Sequence, residues 1–392
     1  MPAAHAGEPR PGGAVKAPPG RAGTAAAALA LALTAACRPS PPAARVPTQK
    51  EAGPELVVVN YAPQRLRALP GGTAESSYLL LGSERPLLPA VFRPLGVTAR
   101  KAPRDFAARA GELAWVGGHV VAAPPPDPRA ARTQQASLLV YDRDSKVATP
   151  TPLALPVPCT QTLPLLLHSD GHELHVLVRC PPEDTALVLR LSEAGELRSS
   201  RVIPGAGTAE LLLHKGEVDY LLAGARVLRA GPAGPPLGAE LPAVGAGGPD
   251  TRDLIHTGSL LLVADGGAGR LFGLDDERLQ LRFSERLYSA APVTRLRAAL
   301  GGPERLIIAT TERASGGAAE PTAPTQLVAT ALPLAGLGRS AAFPTRILLG
   351  SGPPQSDHEL VPVAESDGGG ALLLRTHAGN TGPLVALTHL HL

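Results

Sequence analysis

An all-β fold follows from three features of the 392-residue sequence: short apolar runs set between turn clusters, a density of helix breakers that leaves no room for long helices, and a recurring strand-turn-strand unit. The breakers are 43 glycines and 43 prolines. Hydrophobic residues make up 44% of the chain although aromatics supply only 3%, so the apolar fraction stands well above that of a disordered chain. At this length the chain can form one large domain or two ordinary ones.

The apolar runs begin at Glu55. They are ELVVVN (55–60), SYLLLG (77–82), ELAWVGGHVVAA (112–123), SLLVYD (137–142), ELHVLV (173–178) and ALVLRLS (186–192). They continue with DYLLAGARVLRA (219–230), SLLLVAD (259–265), RLFGLD (270–275), RLIIATT (305–311), QLVATAL (326–332), ALLLRT (371–376) and PLVALTHLHL (383–392). Runs this short, bounded by Gly, Pro, Asp and Ser, argue strands. A repeated unit shows at LVYDRDSKV (139–147), LRLSEAGEL (189–197) and FGLDDERL (272–279), each a strand, a polar turn and a returning strand. With Leu81, Tyr141, Leu191, Leu228, Leu274, Leu332 and Leu387 taken as equivalents, the unit recurs with a mean spacing of about 51 residues, near the size of a propeller blade.

A four-stranded blade cannot bury both faces alone, and radial stacking solves this while leaving only short edges. The expected architecture over residues 55–392 is therefore a β-propeller of about seven blades. Its ring should close by pairing the early strand at 55–60 with the late strand at 383–392. Strands that end in Asp and a turn, as in LVYD and FGLD, resemble those of bacterial propellers with YVTN-like or quinoprotein-like repeats. The sequence departs from related families in having no repeated Trp-Asp pairs, no regular Trp motif and no double glycines in register. A tandem pair of β-sandwiches is the alternative.

Ahead of this domain, residues 22–36 (AGTAAAALALALTAA) are uncharged and apolar, with Lys16 and Arg21 before them and Cys37 and Arg38 after. The stretch is shorter than the roughly 20 residues that a membrane-spanning helix requires. Residues 1–36 therefore follow the plan of a signal peptide. A start at Val15 would give a more compact basic leader, because residues 1–14 are rich in proline and carry Glu8. The segment Leu33-Thr34-Ala35-Ala36-Cys37 resembles the lipobox of bacterial lipoproteins, although Thr34 stands three residues before the cysteine where that family prefers Leu. The resemblance implies lipidation, with palmitate among the acyl chains, on Cys37 and attachment to a membrane of the bacterial envelope, facing the periplasm or at the cell surface. On that resemblance residues 37–54 would be the lipidated cysteine followed by a Pro-rich tether. Ordinary secretion with cleavage near Ala36 is the competing reading.

Only Cys159 and Cys180 remain, an even pair in a compartment that export makes oxidising, and a disulfide between them is expected. Zinc is disfavoured for this pair by the lack of a CxxC motif. The formal net charge of +3, without any run of Lys or Arg, argues against a nucleic-acid partner.

Candidate chemistry is sparse. His168, His172 and His175 fall in HSDGHELH, which lacks the HExxH spacing of a zinc protease. On a strand His172 and His175 would point to opposite faces, so all three read as turn and surface histidines. His389 and His391 share a face but lack a third ligand. The pairs Asp142/Asp144 and Asp275/Asp276 lie at the repeated turn, where aspartate caps backbone amides. Asp265-Gly266-Gly267-Ala268-Gly269 joins strand to strand and so reads as a hairpin loop. Segments 124–135 and 312–325 break the pattern as long loops.

No catalytic, cofactor or metal residues are assigned, and the function read from the sequence is a non-catalytic binding or scaffold module whose partner is another envelope protein. The contrasting class is an envelope hydrolase or lyase that gathers its active site from several blades in the propeller channel, a convergence that sequence cannot display.

Overall fold

The computed structural model describes strands from Glu55 to Leu390, with side chains over most of residues 136–349. Residues 1–54, on which the expected signal peptide, lipidated Cys37 and tether fall, lie outside the described residues.

The described strands form seven antiparallel sheets. The first strand, β1 (Glu55–Val58), belongs to the last sheet. Blade 1 is β2 (Arg65–Leu69), β3 (Tyr78–Gly82) and β4 (Arg93–Pro94). Blade 2 is β5 (Leu113–Val116), β6 (His119–Ala122), β7 (Ser137–Asp142) and β8 (Ala148–Pro152). Blade 3 comprises β9 (Leu166–Ser169), β10 (Leu174–Cys180), β11 (Thr185–Leu191) and β12 (Leu197–Pro204). Blade 4 follows with β13 (Leu211–Lys215), β14 (Val218–Ala223), β15 (Arg226–Ala230) and β16 (Leu237–Glu240). In blade 5 these are β17 (Arg252–His256), β18 (Leu260–Asp265), β19 (Arg270–Asp275) and β20 (Leu281–Arg286). Blade 6 is β21 (Val293–Leu300), β22 (Arg305–Arg313), β23 (Thr325–Pro333) and β24 (Thr345–Gly352). Blade 7 is β25 (His358–Val363), β26 (Gly370–Gly379), β27 (Gly382–Leu390) and, outermost, β1.

The first strands touch in the cycle β2, β5, β9, β13, β17, β21, β25 and back to β2, which closes a seven-membered ring. This is a seven-bladed β-propeller. Closure is made as expected, with Glu55 opposite Leu387 and Val58 opposite Leu384. No sheet edge is then left open between the first and last blades.

Burial varies strongly across a blade. In blade 3 the middle strands β10 (LHVLVRC) and β11 (TALVLRL) are buried along almost their whole length, whereas the outer β12 (LRSSRVIP) is mostly exposed. A middle strand is covered on both faces by neighbouring blades, so it reads as a continuous apolar run rather than an alternating one. Along β10 the alternation still sorts side chains between two cores. Leu174, Val176, Val178 and Cys180 join Val121 and Leu138 of blade 2, while Leu177 joins Leu221 and Leu228 of blade 4.

The Cys159–Cys180 disulfide forms as expected and ties the crossover from blade 2 to the end of β10. Beside it, Glu183 Oε1 accepts hydrogen bonds from Thr160 N at 3.0 Å and Thr160 Oγ1 at 2.6 Å.

Two expectations require correction. Tyr141, Leu191, Leu228, Leu274, Leu332 and Leu387 all lie on the third strand of their blades, but Leu81 lies on β3, the second strand of blade 1. Of the segment 312–325, Glu312, Arg313 and Thr325 belong to the paired strands β22 and β23, because their backbones continue the ladder. The rest of that segment and residues 124–135 lie outside the described residues.

Candidate functional site

Two buried histidines and a buried carboxylate meet in the seam between blades 3 and 4. Blade 3 supplies His175 from β10, Arg190 from β11 and Arg201 from β12. In the ladder His175 lies opposite His168 on one side and Arg190 on the other. Because Leu174 and Val176 face blade 2, period-two alternation turns His175 toward blade 4.

Blade 4 meets it with the β13–β14 hairpin. Lys215 and Val218 close a two-residue turn of Gly216 and Glu217, with Gly216 at φ 60°, the backbone that glycine adopts at the first central position of a type II′ turn. That short turn sets His214 directly across from Asp219. His214 Nδ1 and Asp219 Oδ1 are hydrogen-bonded at 2.8 Å. The other carboxylate oxygen, Oδ2, accepts from Arg201 Nη1 at 2.6 Å, and the same nitrogen reaches the Ala230 carbonyl at 2.7 Å. Arg190 bridges Glu173 at 2.9 Å and Glu217 at 2.8 Å.

The imidazoles of His175 and His214 stack with centroids 3.5 Å apart and planes 20° from parallel. His175 Nδ1 is 3.9 Å from Asp219 Oδ1, beyond hydrogen-bonding distance. His175 is 0% exposed, and neither of its ring nitrogens has a hydrogen-bond partner. Leaving a buried polar group unsatisfied costs about 1–3 kcal/mol. Burial, reinforced by the neighbouring His214 and opposed by Asp219, pushes its pKa down to about 3, with His168 and Arg190 adding to the depression. His175 is therefore neutral at physiological pH, with a lone pair available on one ring nitrogen.

This corrects the expectation that the three histidines of HSDGHELH are turn and surface residues. His172 is exposed at the turn, with Glu193 at 3.6 Å, but His175 is fully buried and His168 half-buried on β9. The reason is the position of β10 as a second strand, covered on both sides. His214 and Asp219 had no place among the candidates. Their signal is local: in HKGEVD a two-residue turn sets the first and last residues opposite one another.

The remaining candidates divide between structural roles and residues not described. Asp275 Oδ1 accepts the amides of Glu277 at 3.2 Å and Arg278 at 3.0 Å, a turn cap as expected, and Ser192 Oγ does the same for Glu196 in blade 3. Asp276 pairs with His256 at 3.0 Å. Asp265 closes the β18–β19 hairpin by accepting from Ala268 N at 2.9 Å, and it lies 3.3 Å from Arg252 Nε, whose Nη1 reaches Glu210 at 2.9 Å. Cys159 and Cys180 lie near Glu183, but their sulfurs are committed to each other. Asp144 and His391 lie outside the described residues; Asp142 and His389 are placed on β7 and β27 by backbone alone.

No protein-family profile matches the chain, and no curated protein matches it. Solved structures similar in shape include a streptogramin B lyase, with 12% identity and a TM-score of 0.37 over 71% of this chain and 93% of that one. Another is BBS1N in complex with ARL6DN, with 10% identity and a TM-score of 0.48 over 87% and 96% of the two chains. Hsv2 of Kluyveromyces lactis shows 8% identity and a TM-score of 0.42 over 81% and 95%. At these levels the propeller assignment rests on the chain's own ring of seven sheets.

Proposed function

We propose that this chain is an envelope lipoprotein, exported by residues 1–36, anchored through lipid on Cys37, and carrying its propeller on the 38–54 tether as a binding or scaffold module for another envelope protein. The observation that carries the anchoring is Leu33-Thr34-Ala35-Ala36-Cys37 at the end of an apolar leader and immediately before a Pro-rich linker. One acyl chain binds a membrane only marginally, on the order of 10⁴ per molar, whereas several chains hold a protein firmly.

The binding role is supported by where the described charges converge. Side chains from different blades meet inside the seams, as with Asp219 and Arg201, or Arg252 and Glu210, where they are packed against each other and poorly placed to reach a substrate. The ring offers a rigid platform whose faces are formed by loops, the usual location of binding residues on a scaffold.

Fractionation of cells producing the full chain tests the anchor. The wild type should enter the detergent phase and the Cys37→Ser variant should not; a wild-type mature protein that begins after Ala36 with no added mass overturns it. Cross-linking in intact cells followed by mass spectrometry tests the role. A stable envelope partner supports it, and a catalytic turnover lost on mutation of axial-face residues replaces it with the enzyme reading.

A further inference from the structure

We propose that the seam between blades 3 and 4 is a binding site for a divalent transition-metal ion of the zinc class, held by the imidazoles of His175 and His214 and by Oδ1 of Asp219. These three residues each offer one ligand atom, and those atoms all lie within 4.8 Å of one another. All three residues are buried. Two imidazole nitrogens with one carboxylate oxygen form a donor set suited to zinc and its first-row neighbours, whereas calcium and magnesium favour all-oxygen sites.

His175 supplies the independent sign of a missing partner. It is fully buried, aimed at the Asp219 carboxylate, and both ring nitrogens lack a hydrogen-bond partner. A hydrogen-bonded seam would have no use for a histidine whose nitrogens are left unused. A metal ion takes up one of them.

Asp219 is already arranged for such a role. Arg201 occupies Oδ2, which fixes the carboxylate plane and leaves Oδ1 directed at the two imidazoles. An outer partner of this kind commonly orients a metal-binding carboxylate. The two arginines beside the site are paired with carboxylates, Arg190 with Glu173 and Glu217 and Arg201 with Asp219. Zinc at its usual ligand distances sets donors about 3.3 Å apart, so binding draws the ligands closer than they now stand. It also breaks the ring stack, since a metal lies in the plane of each ligating imidazole. Three protein ligands leave a fourth position for water. The ligands come from β10 on one side and from β13 and β14 on the other, so the ion adds a further tie between two blades already joined by the Arg201–Asp219 and Arg190–Glu217 pairs.

Cobalt titration of the chelator-treated mature protein tests the proposal, with visible absorption reporting tetrahedral coordination and zinc used as competitor. One equivalent should bind, zinc should displace it, and zinc should raise the melting temperature. His175→Leu should weaken binding by at least the factor of about 10–100 that follows loss of an outer partner. The exposed His172→Ala should leave it unchanged. If His175→Leu fails to fold, His175→Gln takes its place, and the wild-type spectrum decides by itself. Absence of a one-equivalent tetrahedral spectrum overturns the proposal, as does binding that survives loss of the His175 imidazole.

Discussion

The two sides of β10 differ in how they hold neighbouring blades together. Toward blade 2 the strand presents Leu174, Val176, Val178 and Cys180 to an apolar core, with the Cys159–Cys180 disulfide at its end. Toward blade 4 it presents His175, Leu177 and Arg179, and the His175 end of that seam is polar. Apolar contacts tolerate small misalignments because they have little directionality, whereas each polar atom must find a partner or incur a penalty. The blade 2–3 seam is held by apolar contact and a disulfide, while the His175 end of the blade 3–4 seam makes specific demands that only particular residues meet.

The sharpest way to break this contrast is Asp219→Ala, which deprives Arg201 and His214 together of their buried partner. The loss should be about 3–5 kcal/mol in chemical denaturation. A loss under about 1 kcal/mol would mean that the seam relaxes as readily as an apolar one. On the other side, replacing both Cys159 and Cys180 by Ala should cost about 3 kcal/mol, because the bond constrains a modest loop in the unfolded chain. Oxidised and variant proteins compared in guanidinium report it directly.

His175→Leu in metal-depleted protein should change stability by less than about 1 kcal/mol or increase it, since it removes unsatisfied nitrogens and keeps the volume. A large loss would show that the imidazole has a partner in solution.

The smallest effect concerns Glu183, whose carboxyl is held below its usual pKa chiefly by the Thr160 hydroxyl and then by the Thr160 amide. A depressed carboxylate contributes stability above its unfolded value of 4.5, and the contribution is lost as pH falls through the folded value. The melting-temperature difference between wild type and Glu183→Ala should therefore be present at pH 7 and shrink below pH 4.5. A difference independent of pH would assign the effect to packing.

The architecture was legible because middle strands carry the strongest signal. ELHVLV became β10, ALVLRLS became β11, SLLLVAD became β18 and RLFGLD became β19, each buried on both faces. Outer strands such as β12, β16 and β20 are largely exposed and polar, so LRSSRVIP and LGAE gave no apolar pattern to find. Leu81 falls one strand early because the apolar run SYLLLG is β3, the second strand of blade 1, whereas the other repeat positions sit on third strands. The seam cluster was hidden for a different reason. His175 in LHVLV and the facing pair in HKGEVD are each readable locally, but their meeting depends on two blades stacking side by side.

The pairing of β1 with β27 also governs the order in which the molecule can fold. Glu55 finds Leu387 only after nearly the whole chain has been made, so the last contact to form spans almost the full sequence. Contacts of such separation require the loop entropy to be lost before they are rewarded, which makes them slow. Blades 3 to 5 can nucleate from local hairpins, while β1 waits unpaired until β27 is available. A ribosome or a translocation channel that releases the chain from its amino terminus therefore delivers β1 first and its partner last, and the assembly step that seals the ring belongs to the released chain alone.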